Sequence, residues 1–352
     1  MVKKIISVLL CGLLLAQICS CSNADGEKAE KKKLAMDTVI DLTAYGPNAG
    51  KAIDAALERI DEIEQMASAD IPTSDVSKIN AAAGKEPVKV HAEILKMIET
   101  AIKYNKLTDG AFDITVGPLI KLWGIGTDSQ RVPSADEITA ALPLVDSGKI
   151  TVNEEDGSIG LADAGMAIDL GGIAKGFTAD EIEKIFTKFG IKSGIINMGA
   201  SSVYTYGRKP DGGLWAVAVA HPRKSDGNAY LGIIHMAEYA LSTSGDYERY
   251  FIQDGRRYCH ILSPFTGYPA DSGVMSDTVV IDSSVPDCNM LADILTKVTF
   301  VCGVEKGFRI IDGIPGVSCM AATTEYKIYK SLNWRLQFDE ISPDFTADNS
   351  IT

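Results

Sequence analysis

Three glycines and a lysine stand together in D-L-G-G-I-A-K-G, Asp169 to Gly176, where a strand-like A-I-D-L runs into a helical period. Glycine at such a joint lets backbone N–H groups come close to an anion, and a helix N-terminus adds the positive end of its dipole. Lys175 would then neutralise part of a phosphate or pyrophosphate. The spacing fits neither G-x-x-x-x-G-K-[ST] nor G-x-G-x-x-G, so the residues alone equally allow a plain strand-to-helix turn. A second segment, S-T-S-G-D-Y from Ser242 to Tyr247, puts Asp246 in a polar turn at the mouth of a strand, as a general base or as part of a hydrogen-bonded hairpin. In C-H-I-L-S-P-F-T-G-Y-P, residues 259–269, His260 sits on an apolar strand before a proline turn, as a base or as a structural histidine. The fourth is A-D-I-L-T, residues 292–296. Asp293 there lies near the start of an apolar helix, as a favourable first-turn charge or as a carboxylate ligand for a hard cation such as Mg²⁺.

The elements that must position these groups are readable from periodicity. Residues 36–45 alternate apolar and polar side chains and predict an opening strand. Between Asn48 and Ala67, Ile53, Leu57, Ile60, Ile63 and Met66 recur at helical spacing, with Asn48 placed to cap the start. Ile94, Met97, Ile98, Ala101 and Ile102 repeat that period. Ser134 with Glu137 reads as a capping box before a short helix ended by Pro143. Further helices are expected over Phe177–Phe189, closed by Gly190, and over Asn289–Cys302. Strands fit residues 203–206, 214–220 and 231–234. Turn signals at 211–213 and 254–255 cluster in the second half while helices dominate the first. That segregation predicts an α+β fold with a largely antiparallel sheet and packed helices, over residues 35–340, followed by a tail at 341–352.

The chain has 352 residues, 46% of them hydrophobic, and a formal net charge of −13, which suits a globular protein and excludes a basic nucleic-acid binder. Its first residues differ from the rest. Lys3 and Lys4 precede an apolar run from Ile5 to Ile18, too short to span a bilayer, which predicts an export signal over residues 1–20. I-C-S-C, Ile18 to Cys21, resembles a bacterial lipobox, with Cys21 as the lipidated N-terminus. Removing the signal leaves 32 basic against 47 acidic residues, a net −15. Residues 21–34, rich in lysine, glutamate and small residues, read as a flexible tether. Cys259, Cys288, Cys302 and Cys319 show no metal-ligand spacing, and no essential disulfide is expected.

Taken in order, the blocks resemble one family. T-D-G-A-F-D-I-T-V-G-P-L-I-K-L-W-G, Thr108 to Gly124, is similar to T-x-G-A-F-D-P-T-V-G-P-L-x-x-L-W-G of the ApbE family of FAD:protein FMN transferases. D-L-G-G-I-A-K-G-F matches that family's Gly-rich turn, and S-T-S-G-D-Y-x-R-Y-F with H-I-L-x-P-x-T-G-Y-P matches its paired signature. The similarity runs from about Met36 to about Gly303. It implies an extracytoplasmic enzyme that moves FMN from FAD to a threonine hydroxyl of an exported acceptor, a subunit of a membrane electron-transfer complex, releasing AMP. It implies FAD contacts at Met36, Ala111, Phe112, Asp113, Asp169, Lys175, Ile261 and Leu262. It implies Mg²⁺ held by the Gly172 carbonyl, by Asp293 and by a threonine four residues after it.

This chain departs from the pattern at that last ligand, where Lys297 stands; Thr296, one residue early, is expected as the third ligand through a shifted helix register, and Mg²⁺ is still expected. An ammonium there would repel a divalent ion, replace its charge, or turn to solvent. Asp70 falls where many members carry a pocket tyrosine, and Cys259 and Ser263 replace a serine and an acidic residue around His260. In an in-line attack on the FMN phosphorus of FAD, His260 is expected as the base or positioning group, with Asp246 as the alternative base. Two other readings follow from the departures: Mg²⁺-dependent hydrolysis of FAD to FMN and AMP, and a lipid-anchored flavin carrier without chemistry. The chain is expected to contact the membrane through its lipid alone.

Overall fold

Every residue from Val274 to Ile281 is buried, as expected of a strand covered on both faces. In the computed structural model, which describes residues 27–199, 201–224 and 229–348, this strand lies inside a nine-stranded sheet. In chain order the strands are β1 (Lys28–Ala35), β2 (Thr38–Tyr45), β3 (Ser193–Met198), β4 (Ser202–Tyr206), β5 (Tyr239–Gly245), β6 (Val274–Asp282), β7 (Val317–Thr323), β8 (Lys327–Lys330) and β9 (Thr346–Ala347). Each pairs with the next in that order. All the pairings are antiparallel except the last, β8 with β9. The expected α+β class with a largely antiparallel sheet is what the chain adopts.

The described residues also form eight α-helices: α1 (Ala49–Ala67), α2 (Asp75–Ala81), α3 (Ala92–Leu107), α4 (Gly117–Trp123), α5 (Ala135–Ala141), α6 (Ala174–Lys188), α7 (Cys288–Cys302) and α8 (Val304–Asp312). Helices α1, α6, α7 and α8 cover one face of the sheet. A three-stranded sheet of residues 215–220, 230–236 and 337–340 covers the other. Successive residues of one strand therefore serve two cores. Ala240 and Ile281 join the helix-side cluster, while Leu241 and Val280 join the cluster under the small sheet. The capping box at Ser134 and Glu137 is present with both of its bonds.

Three expected boundaries need correction. Residues 28–34 are strand rather than tether: β1 pairs along its length with β2, and Met36 and Asp37, at φ 51° and 57°, make the two-residue turn between them. The opening strand begins at Thr38 instead of residue 36 for the same reason. At the other end, Phe345 is buried and residues 346–347 add a strand, so 341–348 belong to the folded unit. The export signal and Cys21 lie outside the described residues.

Helix α7 carries Asp293 and Lys297, and its start is fixed by α6. The buried Asp180 carboxylate accepts hydrogen bonds from the backbone N–H groups of Asn289 (3.0 Å) and Met290 (2.9 Å) and from the Asn289 side chain (2.9 Å). These satisfy N–H groups that a helix start leaves without intrahelical partners.

Candidate active site

The two helices meet at Gly176. A Cβ on this residue would stand 2.3 Å from the Asn289 carbonyl oxygen, so only glycine allows α6 and α7 to come this close. The approach brings Asp293, on the first turns of α7, to the first turn of α6, where its Oδ2 accepts from the Gly176 N–H at 3.1 Å. Asp293 thus lends its charge to the positive end of the α6 dipole. Replacing Gly176 with alanine should force the helices apart, cost about 1–3 kcal/mol of stability, and weaken FAD binding with it. Thermal unfolding and a flavin-fluorescence titration measure the two effects.

Lys297 lies one turn further along α7. Its ammonium donates to the Asp293 carbonyl oxygen (2.7 Å), to Asp293 Oδ1 (2.9 Å) and to Thr296 Oγ1 (3.2 Å). Three N–H donors meet three oxygen acceptors, so the geometry is that of a fully used ammonium. Thr296 is saturated as well: it also accepts from Ser244 Oγ at 2.8 Å and donates to the Asp293 carbonyl at 2.9 Å. Burial opposes the charge on Asp293, but the Lys297 and Lys175 ammoniums and the Gly176 N–H hold its carboxyl below the usual carboxylate range. Gly172 completes the enclosure, since a Cβ there would lie 3.5 Å from Lys297 Cε and 3.2 Å from the Phe112 ring. The three groups expected to hold Mg²⁺ thus surround an ammonium, and this arrangement does not fit a divalent ion.

Around this pair stand the other candidates. The Asp169 carboxylate closes the Gly-rich turn by accepting from Gly171 N–H at 2.8 Å. Burial first, and the charge of Asp70 further, push its carboxyl upward, while Lys175 and Arg249 pull it down. His260 Nδ1 is 3.3 Å from the Arg249 carbonyl oxygen. A carbonyl only accepts, so Nδ1 carries the proton and Nε2 keeps a free lone pair. Burial, and then the charges of Arg249, Lys297 and Lys175, lower the His260 pKa to about 4. Two of these cations, Lys175 and Arg249, also act on Glu248, whose carboxyl burial pushes upward. Arg249 and Glu248 escaped the sequence reading, although both fall in the E-R-Y-F that follows Ser242–Tyr247.

The remaining expected contacts divide. Met36 lies beside α6, its Sδ accepting from Thr178 Oγ1 at 3.6 Å, while its own N–H donates to Glu64 at 2.6 Å. Ala111 and Phe112 are buried next to the Gly-rich turn, which Ile114 joins by accepting from the Asp169 N–H. Asp113 is taken up by the protein: its carboxylate accepts from Thr115, Ser147 and Asn105 and organises the loops behind the turn. Ile261 packs in the main core, and Leu262 packs with Leu119, Trp123 and Ile138 in a separate cluster. Asp246 also needs correction. Arg223 grips both of its oxygens, at 2.6 and 2.7 Å, and Arg257 donates to its carbonyl at 3.2 Å. A bidentate arginine pair makes Asp246 an anchor for the turn, whereas His260 Nε2 carries no such partner among the described contacts.

The model of the ApbE family matches residues 36–321. An FAD:protein FMN transferase of Klebsiella pneumoniae is 34% identical over 286 residues, covering 81% of this chain and 86% of the relative. One from Treponema pallidum is 30% identical over 330 residues, covering 88% and 89%. Among solved structures, the ApbE protein of Thermotoga maritima superposes with a TM-score of 0.79 at 32% identity, over 87% of this chain and 97% of that one. A flavin transferase ApbE from Vibrio cholerae gives 0.74 at 27% identity, over 91% and 98%. With sequence, structure and the Gly-rich turn in agreement over most of its length, the chain belongs to the ApbE family.

Proposed function

We propose that this chain is a transferase that moves FMN from FAD to a threonine hydroxyl of an exported acceptor protein and releases AMP. The observation that carries the reading is that the charges of Lys175, on the first turn of α6, of Arg249 and of Lys297 all act on His260, in a strongly acidic protein. Such a site suits a pyrophosphate and a hydroxyl nucleophile together. The threonine oxygen forms a bond to the FMN phosphorus while the bond from that phosphorus to the bridging oxygen breaks, and AMP leaves with the bridging oxygen. The threonine proton passes to His260 Nε2, and the cations stabilise the charge on the departing phosphate. The names of the relatives support the same transfer.

Export and a lipid anchor at Cys21 belong to this proposal and rest on the residues before Ser22. An acceptor carried by a membrane electron-transfer complex would then share its compartment.

Exposed Asp70 beside Asp169 favours a second reading, hydrolysis, because it offers water a polar approach where an aromatic ring would exclude it. Incubating the purified chain with FAD, with and without a threonine-containing acceptor, separates the two. An acceptor mass gain equal to FMN, with AMP released in equal amount, is the expected result. AMP released at the same rate without acceptor assigns the chain to hydrolysis.

A further inference from the structure

The ligand set around Lys297 is closed by three short contacts to one nitrogen, at 2.7, 2.9 and 3.2 Å. An ion of ordinary coordination would need the same Asp293 and Thr296 oxygens at about 2.0–2.6 Å, and these oxygens are already occupied by donors. A second buried carboxyl reinforces the point. Asp277 on β6 is fully buried and neither of its oxygens has a hydrogen-bond partner of ordinary geometry; burial pushes its carboxyl well upward, against which act only the neighbouring Thr299 side chain and the charge of Lys297. An orphaned carboxyl in a core is costly unless a positive charge stands near it. Lys297 supplies that charge from the same helix that carries Asp293.

We infer that Lys297 is a built-in cation: its ammonium takes the place of a divalent ion beside Asp293, and this chain works on the FAD pyrophosphate without one. The inference deepens the flavin-transfer reading and rests on it for the substrate. All three N–H groups of Lys297 are used inside the protein, so it acts on the pyrophosphate as a fixed charge, and Lys175 and Arg249 remain to contact the phosphate oxygens directly. A fixed charge needs no dehydration and no supply of metal. It delivers one positive charge where Mg²⁺ delivers two, which agrees with the presence of three cations around the site.

The test is a titration of the metal-stripped chain with Mn²⁺, followed by electron paramagnetic resonance, alongside the activity in EDTA. The wild-type chain is expected to show no stoichiometric Mn²⁺ site and to lose less than twofold in rate in EDTA. Lys297→Thr, which restores a hydroxyl four residues after Asp293, is expected to gain one Mn²⁺ site and to become inactive in EDTA. One tight Mn²⁺ on the wild-type chain, lost in Asp293→Asn, overturns the inference. So does a wild-type activity abolished by EDTA and restored by Mg²⁺. The wild-type titration decides the matter even where Lys297→Thr does not fold. Absence of both Mn²⁺ binding and flavin transfer would refute the transferase reading while leaving the built-in cation standing.

Discussion

Replacing Asp293 with asparagine is expected to lower the rate of FMN transfer by at least a hundredfold and to destabilise the fold by about 3–5 kcal/mol, the usual consequence of removing one partner of a buried ion pair. Asp293 is 2% exposed at its side chain and Lys297 20%. Asparagine keeps an oxygen for the Gly176 N–H, so the α6 contact survives, but the Lys297 ammonium is left without its counter-charge. The freed lysine would then shed its proton or swing toward solvent, and either response removes the fixed charge from the pyrophosphate. The double variant Asp293→Asn with Lys297→Met separates structure from chemistry. A neutral pair is tolerated in a core better than half an ion pair, so chemical denaturation should show most of the lost stability restored. Activity should stay low, because the charge is gone. A double variant as active as the wild type would show that the pair serves the fold alone.

How far the sequence led differs from residue to residue. Helical spacing located α1 and α7 almost to the residue, because each buries one apolar stripe. Strand β1 was unreadable: its K-A-E-K-K-K is a charged edge strand held by backbone pairing to β2 and by ion pairs of Lys31, Lys32 and Lys33 with Asp54, Asp41 and Asp61. Its turn uses Met36 and Asp37 at positive φ in place of the glycine or asparagine that would have signalled a hairpin. At the site, the Gly-rich turn, His260 and the anomaly at Lys297 were all visible as residue types. The choice among Lys297's possible orientations was not, because it depends on Gly176 and Asn289 fixing how α6 crosses α7, a contact between residues 113 positions apart in the chain. Asp246 misled for the opposite reason. An acid in a polar turn reads as a free base until its partner Arg223, from a distant loop, is seen.

His260→Asn is expected to reduce kcat by about 10²–10⁴-fold, the range for removing a positioned general base, and the pH dependence of the wild type identifies the role. With its pKa lowered to about 4, His260 is neutral and able to accept a proton throughout the range from pH 7 to pH 5. A histidine at the ordinary value of about 6.5 would lose roughly tenfold in its basic form by pH 5.5. The acid limb of kcat/KM, which reports the free enzyme, should therefore lie below pH 5. The limb of kcat should lie higher, because a bound pyrophosphate offsets the Arg249, Lys297 and Lys175 charges that help depress the histidine. Stability follows the same sign. Between about pH 6.5 and pH 4 the unfolded chain takes up a proton at His260 that the folded chain refuses, so the fold loses stability as pH falls through that window. His260→Asn removes this contribution, and its unfolding free energy should vary less with pH there than that of the wild type. Coincident limbs of kcat and kcat/KM near pH 6.5, unchanged by FAD, would mean that His260 titrates as an ordinary surface histidine and that the proton of the attacking hydroxyl leaves by another route.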